Sequence, residues 1–286
     1  MNDFEHRLYR LIDAALIEDV GDGDHSTLCC IPADAQGKAV LKIKESGVLA
    51  GLFVAETIFK YRAPACVFTA HKQDGDAMQA GETAFEVTAP VHTILQCERL
   101  VLNIMQRMSG IATLTQQYSR LLDGYNTKLL DTRKTTPNFR LLEKEAVRIG
   151  GGHNHRFGLY DMIMLKDNHI DYCGGLVPAV ERAHHYVQAY HPHLKIEVET
   201  RLLTDVETVL AHGQGKVHRV MLDNFSPGDV ARAVHLINGI FETEASGGIN
   251  LHNMQAYAAT GVDYVSVGAL IHQARSLDLS LKAVIV

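Results

Sequence analysis

No C-x-x-C pair occurs in this chain, and its five cysteines, Cys29, Cys30, Cys66, Cys97 and Cys173, are odd in number and scattered. Neither a disulfide framework nor a zinc ribbon is indicated, so the thiols read as buried, reduced small hydrophobes. No segment approaches the roughly 18 uninterrupted apolar residues of a membrane span. The opening MNDFEHRLYRLIDAALIEDV mixes acids with bases and has no apolar signal region, so a cytoplasmic protein is expected. A long run of Lys and Arg is also missing, and with a net charge of -6 this argues against a nucleic-acid partner. Sixteen histidines invite a metal, but none forms an H-E-x-x-H or similar helical pair, so a zinc site is not expected. What remains is an ordinary globular composition, 47% hydrophobic and 21% charged, which excludes wholesale disorder.

The organisation along the chain changes twice. A first helix is predicted over 3–18, where Phe4, Leu8, Leu11, Ile12, Ala15 and Leu16 keep helical spacing. From about 37 to 90 the pattern is of short strands, KAVLKIKES, CVFTAHK and TAFEVTA, with a helix over LFVAETIFKYR, as in a small α/β domain. A long helix follows, from about Ile94 to Leu122. Strand candidates then recur: TKLLDTR, DMIMLKD, KIEVET, RVMLDN, FETEASGG and DYVSVGA, most of them separated by helix-length amphipathic stretches. That spacing suits a parallel α/β barrel; a Rossmann sheet competes, but no G-x-G-x-x-G follows an early strand.

Residues 131–170 are the densest in chemistry, with seven Lys or Arg and three histidines in an acidic protein, which points to a local site for an anion. Arg133, Lys134, Arg156 and Lys166 fall at or just beyond strand ends, the place where a barrel gathers its catalytic groups. Each alone reads as a solvated surface charge; together they read as a pocket. His155 and His169 lie beside these cations and could orient a substrate. Glu199 and Asp223 end apolar runs at the same mouth, where they could hold Mg2+, accept from sugar hydroxyls, stabilise a cationic transition state, or simply pair with the arginines. Ser246, Gly247, Gly248 and Gly268 follow late strands, the position of a phosphate cradle in such barrels, although glycines also serve as plain turn formers.

The ordered motifs DTRKT-x-P-x-x-R, GGG-x-NHR-x-GL-x-D, KDNHI, E-V-E, LDN, ASGGI and GVDY-x-x-VGAL resemble those of the quinolinate phosphoribosyltransferases, also called carboxylating nicotinate-nucleotide pyrophosphorylases. The resemblance runs from EDVGDGDHST to the final VGAL, nearly the whole chain. It implies a type II phosphoribosyltransferase-like α/β fold: an N-terminal α/β sandwich domain, 1–108 joined by the tail 272–286, and an incomplete α/β barrel, 109–271. It implies that quinolinate and phosphoribosyl pyrophosphate give nicotinate mononucleotide, pyrophosphate and CO2, with Mg2+, towards NAD. Arg133, His155, Arg156 and Lys166 would then hold the quinolinate carboxylates, and Arg99 would be supplied by the second subunit of a homodimer with shared active sites. Lys134 and His169 would meet the phosphoribosyl donor, Glu199 and Asp223 its ribose or Mg2+, directly or through water, and Ser246, Gly247, Gly248 and Gly268 its 5-phosphate. Lys134, Glu199 and Asp223 would be the catalytic set. The alternatives are the same fold acting on nicotinate, the molybdenum-operon relative, or a non-catalytic anion binder. Asn138 stands where the family often has glycine, and Glu145 where an aromatic is common.

Overall fold

The computed structural model describes residues 3–284. The first elements are α1 (Asp3–Val20), α2 (His25–Cys30), β1 (Gln36–Ile43), β2 (Gly47–Val48), α3 (Leu52–Arg62), β3 (Val67–Ala70), β4 (Ala77–Met78), β5 (Thr83–Pro90) and α4 (Val91–Arg120). Then come β6 (Lys128–Leu130), α5 (Arg140–Ile149), β7 (Ile163–Leu165), α6 (Asp167–Cys173), α7 (Leu176–Tyr190), β8 (Ile196–Thr200) and α8 (Leu203–His212). The chain closes with β9 (Arg219–Asp223), α9 (Pro227–Ile237), β10 (Glu242–Ser246), α10 (Met254–Ala258), β11 (Tyr264–Ser266), α11 (Ala269–His272) and β12 (Leu279–Val284).

Two compact units result. The first takes in the described part of Met1–Gln116, Thr135–Gly151 and the described part of Leu270–Val286. Its four-stranded sheet has the order β12-β1-β5-β3, and all three pairings are antiparallel. In β1, Ala39, Val40, Leu41 and Ile43 are buried, and α1 turns Leu8, Ile12 and Leu16 inward at four-residue spacing. The Thr135–Gly151 stretch clusters here because α5 is tied to α4. Glu143, fully buried, accepts from Arg107 Nε at 3.0 Å and from Thr136 N at 2.8 Å. Arg107 also donates to the Ile271 carbonyl at 2.8 Å.

One close approach in this unit gives a stability prediction. A Cβ on Gly110 would sit 1.8 Å from the carbonyl oxygen of Arg275 and 2.9 Å from its carbonyl carbon, both backbone atoms that no rotamer change can move. Gly110→Ala is therefore expected to lower the unfolding free energy by at least about 2 kcal/mol, in the upper part of the overpacking range. A urea midpoint equal to the parent's would contradict this.

The second unit, Gln117–Lys134 with Gly152–Ala269, holds a six-stranded sheet in the order β6-β11-β10-β9-β8-β7. Every pairing in it is parallel, and all six strands expected from the sequence are present. The sequence-adjacent strands β6 and β7 lie at opposite edges, so the barrel is incomplete at that seam. Instead the segment after Gly152 lies along β6: His153 N donates to the Leu129 carbonyl at 2.8 Å, and Asp131 N to the His153 carbonyl at 3.1 Å.

The cysteine expectation needs correction. Only Cys97 is buried; Cys66 and Cys173 are half-buried, and Cys29 and Cys30 are exposed at the end of α2. None is in a disulfide, and no helix among the described residues is long and apolar enough to cross a membrane.

Candidate active site

The sheet order arranges the strand-end groups of the second unit in sequence around one edge. Arg133 and Lys134 follow β6, Gly268 follows β11, Ser246 ends β10, Asp223 ends β9, Glu199 lies at the end of β8 and Lys166 follows β7. Ser246 is in register with Asp223, and Leu165 with Val198, which brings Lys166 level with Glu199. The Lys166 ammonium stands 3.1 Å from Glu199 Oε2. Burial and the charge of Glu199 together push the Asp223 carboxyl above the ordinary carboxylate range, partly offset by Lys166 and Lys134. Cations and acids therefore share one electrostatic neighbourhood.

The late-strand turn is shaped for bare backbone. Gly247 and Gly248 both take positive φ, 92° and 66°, and a Cβ on Gly247 would lie 2.2 Å from Asn224 Oδ1. Asn224, itself at φ 58°, donates from Nδ2 to Asp223 Oδ2 at 2.7 Å and from its backbone N to the Ser246 carbonyl at 2.8 Å. The acid of β9 and the glycine turn of β10 are thus one connected piece of structure.

Arg156 is half-buried and donates from Nη1 to the Met162 carbonyl at 3.3 Å. Burial holds its basicity below the usual arginine level, and the Arg133 guanidinium adds to the effect, so the two arginines face a common region. Two neighbouring guanidiniums repel, and an anion between them removes that repulsion. His169 accepts the Lys166 backbone N–H on Nδ1 at 3.0 Å, which makes it a brace for the turn that carries Lys166. Lys134 is exposed, and its backbone N–H donates to Thr132 Oγ1 at 3.1 Å. Arg99 lies exposed on α4, in the first unit.

His155, which the resemblance assigns to the quinolinate carboxylates, lies almost wholly buried. Its side chain is only 5% exposed and its Nε2 points at Glu197 Oε2, 3.0 Å away, and Glu244 Oε2, 3.3 Å away. Burial lowers its basicity, but the facing Glu197 and Glu244 carboxylates outweigh this and raise it. Glu197 is raised to about 7 by burial and by the charge of Glu244. Arg219 completes the layer, with Nη1 2.9 Å from Glu244 Oε2, Nη2 3.0 Å from Glu242 Oε2, and its guanidinium carbon 4.0 Å from the Tyr264 ring centroid. The ligand atoms of His155, Glu197 and Glu244 lie within 4.8 Å of one another, a spacing a metal could use. Arg219 already supplies Glu244 with its cation, so the cluster is an ion-pair network beneath the mouth.

Glu197, Arg219 and Glu244 went unrecognised in the sequence because the strands that carry them read as apolar runs. The missed signal is period two. Glu197 and Glu199 in β8, Arg219 and Asp223 in β9, and Glu242, Glu244 and Ser246 in β10 occupy alternate positions of their strands.

Comparison with known proteins covers the chain in two pieces. The model of the quinolinate phosphoribosyl transferase N-terminal domain matches residues 24–109, and that of the C-terminal domain matches 111–282. A chloroplastic nicotinate-nucleotide pyrophosphorylase [carboxylating] of Arabidopsis thaliana is 43% identical over 96% of this chain and 82% of its own. A probable nicotinate-nucleotide pyrophosphorylase [carboxylating] of Bacillus subtilis is 41% identical over 96% of this chain and 93% of its own. The crystal structure of NadC from Streptococcus pyogenes superposes with a TM-score of 0.89 at 40% identity, covering 99% of this chain and 97% of that one. The incomplete barrel with cations, acids and a glycine turn along one edge, and the two domain models that meet at residue 110, lead to one conclusion: the chain belongs to the quinolinate phosphoribosyltransferase family.

Proposed function

We propose that the protein joins quinolinate to the phosphoribosyl group of phosphoribosyl pyrophosphate at the edge of the second unit, releasing pyrophosphate and CO2 and leaving nicotinate mononucleotide. The observation that carries this reading is the order of groups along that edge: arginines for a dicarboxylate, then a glycine turn for a phosphate, then two acids for the ribose centre. Arg133, Arg156 and Lys166 hold the carboxylates, bidentate recognition suiting the guanidiniums. Gly247 and Gly248 offer backbone N–H groups to the 5-phosphate, with Ser246 and Gly268 beside them. Lys134 and His169 serve the donor.

The ring nitrogen's lone pair attacks the anomeric carbon as its bond to pyrophosphate breaks. Glu199 and Asp223 stabilise the positive charge that develops on the ribose. Glycosylation leaves the ring nitrogen cationic, so the electron pair of the adjacent carbon–carboxylate bond stays on the ring when CO2 departs, and a proton then takes its place. The protein supplies no nucleophile. Its task is to grip one carboxylate firmly and leave the other poorly solvated.

The donor set also fits Mg2+: Glu199 and Asp223 are hard oxygen ligands on neighbouring strands, and a cation beside them offsets the burial and the Glu199 charge that raise Asp223. When bound, Mg2+ would offset the charge of the departing pyrophosphate. Five unpaired cysteines support a reducing, cytoplasmic setting. The test is an assay of nicotinate mononucleotide formed from quinolinate or from nicotinate, with Mg2+ or with chelator. Turnover of quinolinate that stops on chelation is expected; turnover of nicotinate alone would overturn the substrate assignment.

The same reading makes the working unit a homodimer in which the partner subunit's Arg99 completes each site. Arg99→Ala and Lys166→Ala are each expected to be inactive while folding normally. Mixed in equal amounts and allowed to exchange, they should recover about a quarter of the parent activity, since half the symmetric dimers then carry one intact site of two. Failure of well-mixed heterodimers to regain activity would rule out the shared site.

A further inference from the structure

The buried layer beneath the mouth has no part in the chemistry described above, yet it is connected to it at one point. The Arg156 backbone N–H donates to His155 Nδ1 at 2.7 Å, while Nε2 of the same ring faces Glu197 and Glu244. Behind them, His155 N donates to Asp131 Oδ1 at 2.8 Å, which fixes the backbone of the segment against β6. A flip of this ring would break the hydrogen bond at Nδ1 and carry Nε2 away from the two buried carboxylates. The imidazole is therefore a strut, with carboxylates at one end and the peptide that carries Arg156 at the other.

We infer that Glu197 and Glu244 are positioning residues for quinolinate binding, acting through His155 on the Arg156 guanidinium, with Arg219 there to cancel the charge they place under a dianionic substrate. The tautomer follows from the geometry. Nδ1 accepts the Arg156 N–H and so carries no proton, although the two carboxylates favour a second one on the ring; the ring's proton therefore sits on Nε2, the side that faces Glu197 and Glu244. Arg219 matters to the same end. Two bare carboxylates below the pocket would repel quinolinate, but Arg219 stands at ion-pair distance from Glu244 and offsets one of the two charges. The strut therefore orients a cation without spending its charge. None of these side chains need touch the substrate, as His155 at 5% exposure and Glu197 at 1% make plain.

This inference rests on the proposed acceptor, so its test combines kinetics with a measurement that needs no turnover. Glu197→Gln and Arg156→Lys are made singly and together. Glu197→Gln should raise the KM for quinolinate about tenfold while the KM for phosphoribosyl pyrophosphate and kcat stay within about twofold. In the Arg156→Lys background the same change should add less than about twofold, because the cation it positions has already been altered. A further tenfold loss in the double variant, or equal rises in both KM values, would mean general loosening of the barrel and would overturn the proposal. Independently, nitrogen-15 spectra of histidine-labelled protein, assigned with His155→Gln, should show His155 with Nδ1 unprotonated in the parent. A proton on His155 Nδ1 in the parent would overturn the strut whatever the substrate proves to be. Lack of any quinolinate turnover by the parent, with Nδ1 bare, would instead count against the acceptor assignment alone.

Discussion

Arg156→Ala is expected to weaken quinolinate binding by about 2–5 kcal/mol, the cost of removing one partner from a buried charge pair. The structure gives two reasons to place the effect at the upper end. Arg156 is half-buried, and its neighbour Arg133 already disfavours its charge, so the site is short of an anion before substrate arrives. Removing one guanidinium also leaves the bound carboxylate with fewer donors in a region of low polarity. Calorimetric titration with quinolinate is the check, and an affinity equal to the parent's would remove Arg156 from the pocket. Binding of phosphoribosyl pyrophosphate should change little, since the groups proposed for its phosphate, Gly247 and Gly248, belong to the turn after β10 and not to the segment that carries Arg156.

The second large effect is on stability. Arg219 is 9% exposed, bridges Glu242 and Glu244, and stacks on Tyr264. Arg219→Met keeps much of the side-chain volume but leaves Glu244 fully buried without its cation, which should cost about 3–5 kcal/mol. Adding Glu244→Gln should recover a large part of that loss, whereas a surface-like penalty below about 1 kcal/mol for Arg219→Met would contradict a buried network.

Much of this was legible in the sequence, and the limits have physical causes. The α3 helix was readable over its full length because Gly51 and Ala63–Pro64 bracket an uninterrupted helical run, and Gly51 does adopt a left-handed φ of 94°. Asn138 takes φ 63°, as its place in a glycine position suggested. The six barrel strands could be found from apolar runs, even where β6, β7 and β11 are only three residues long. Which face each residue takes could not be found that way. Parallel strands are expected to be apolar on both sides, and here the inner face of β8, β9 and β10 carries a layer of charges whose partners come from different strands and from a loop. Ion pairs such as Arg219 with Glu244 span 25 positions, and His155 with Glu197 span 42, so no local pattern announces them. The strand-end residues were recoverable because each lies at or just past the end of a strand; the layer below them was not, because it exists only once the strands are side by side.

The reaction itself is tested most directly by the fate of one carbon. Quinolinate labelled in the carboxylate next to the ring nitrogen, incubated with the protein, phosphoribosyl pyrophosphate and Mg2+, should release labelled CO2 in a one-to-one ratio with nicotinate mononucleotide. Nucleotide that retains the label, or the absence of labelled CO2 from well-folded protein, would contradict the proposed transfer with decarboxylation.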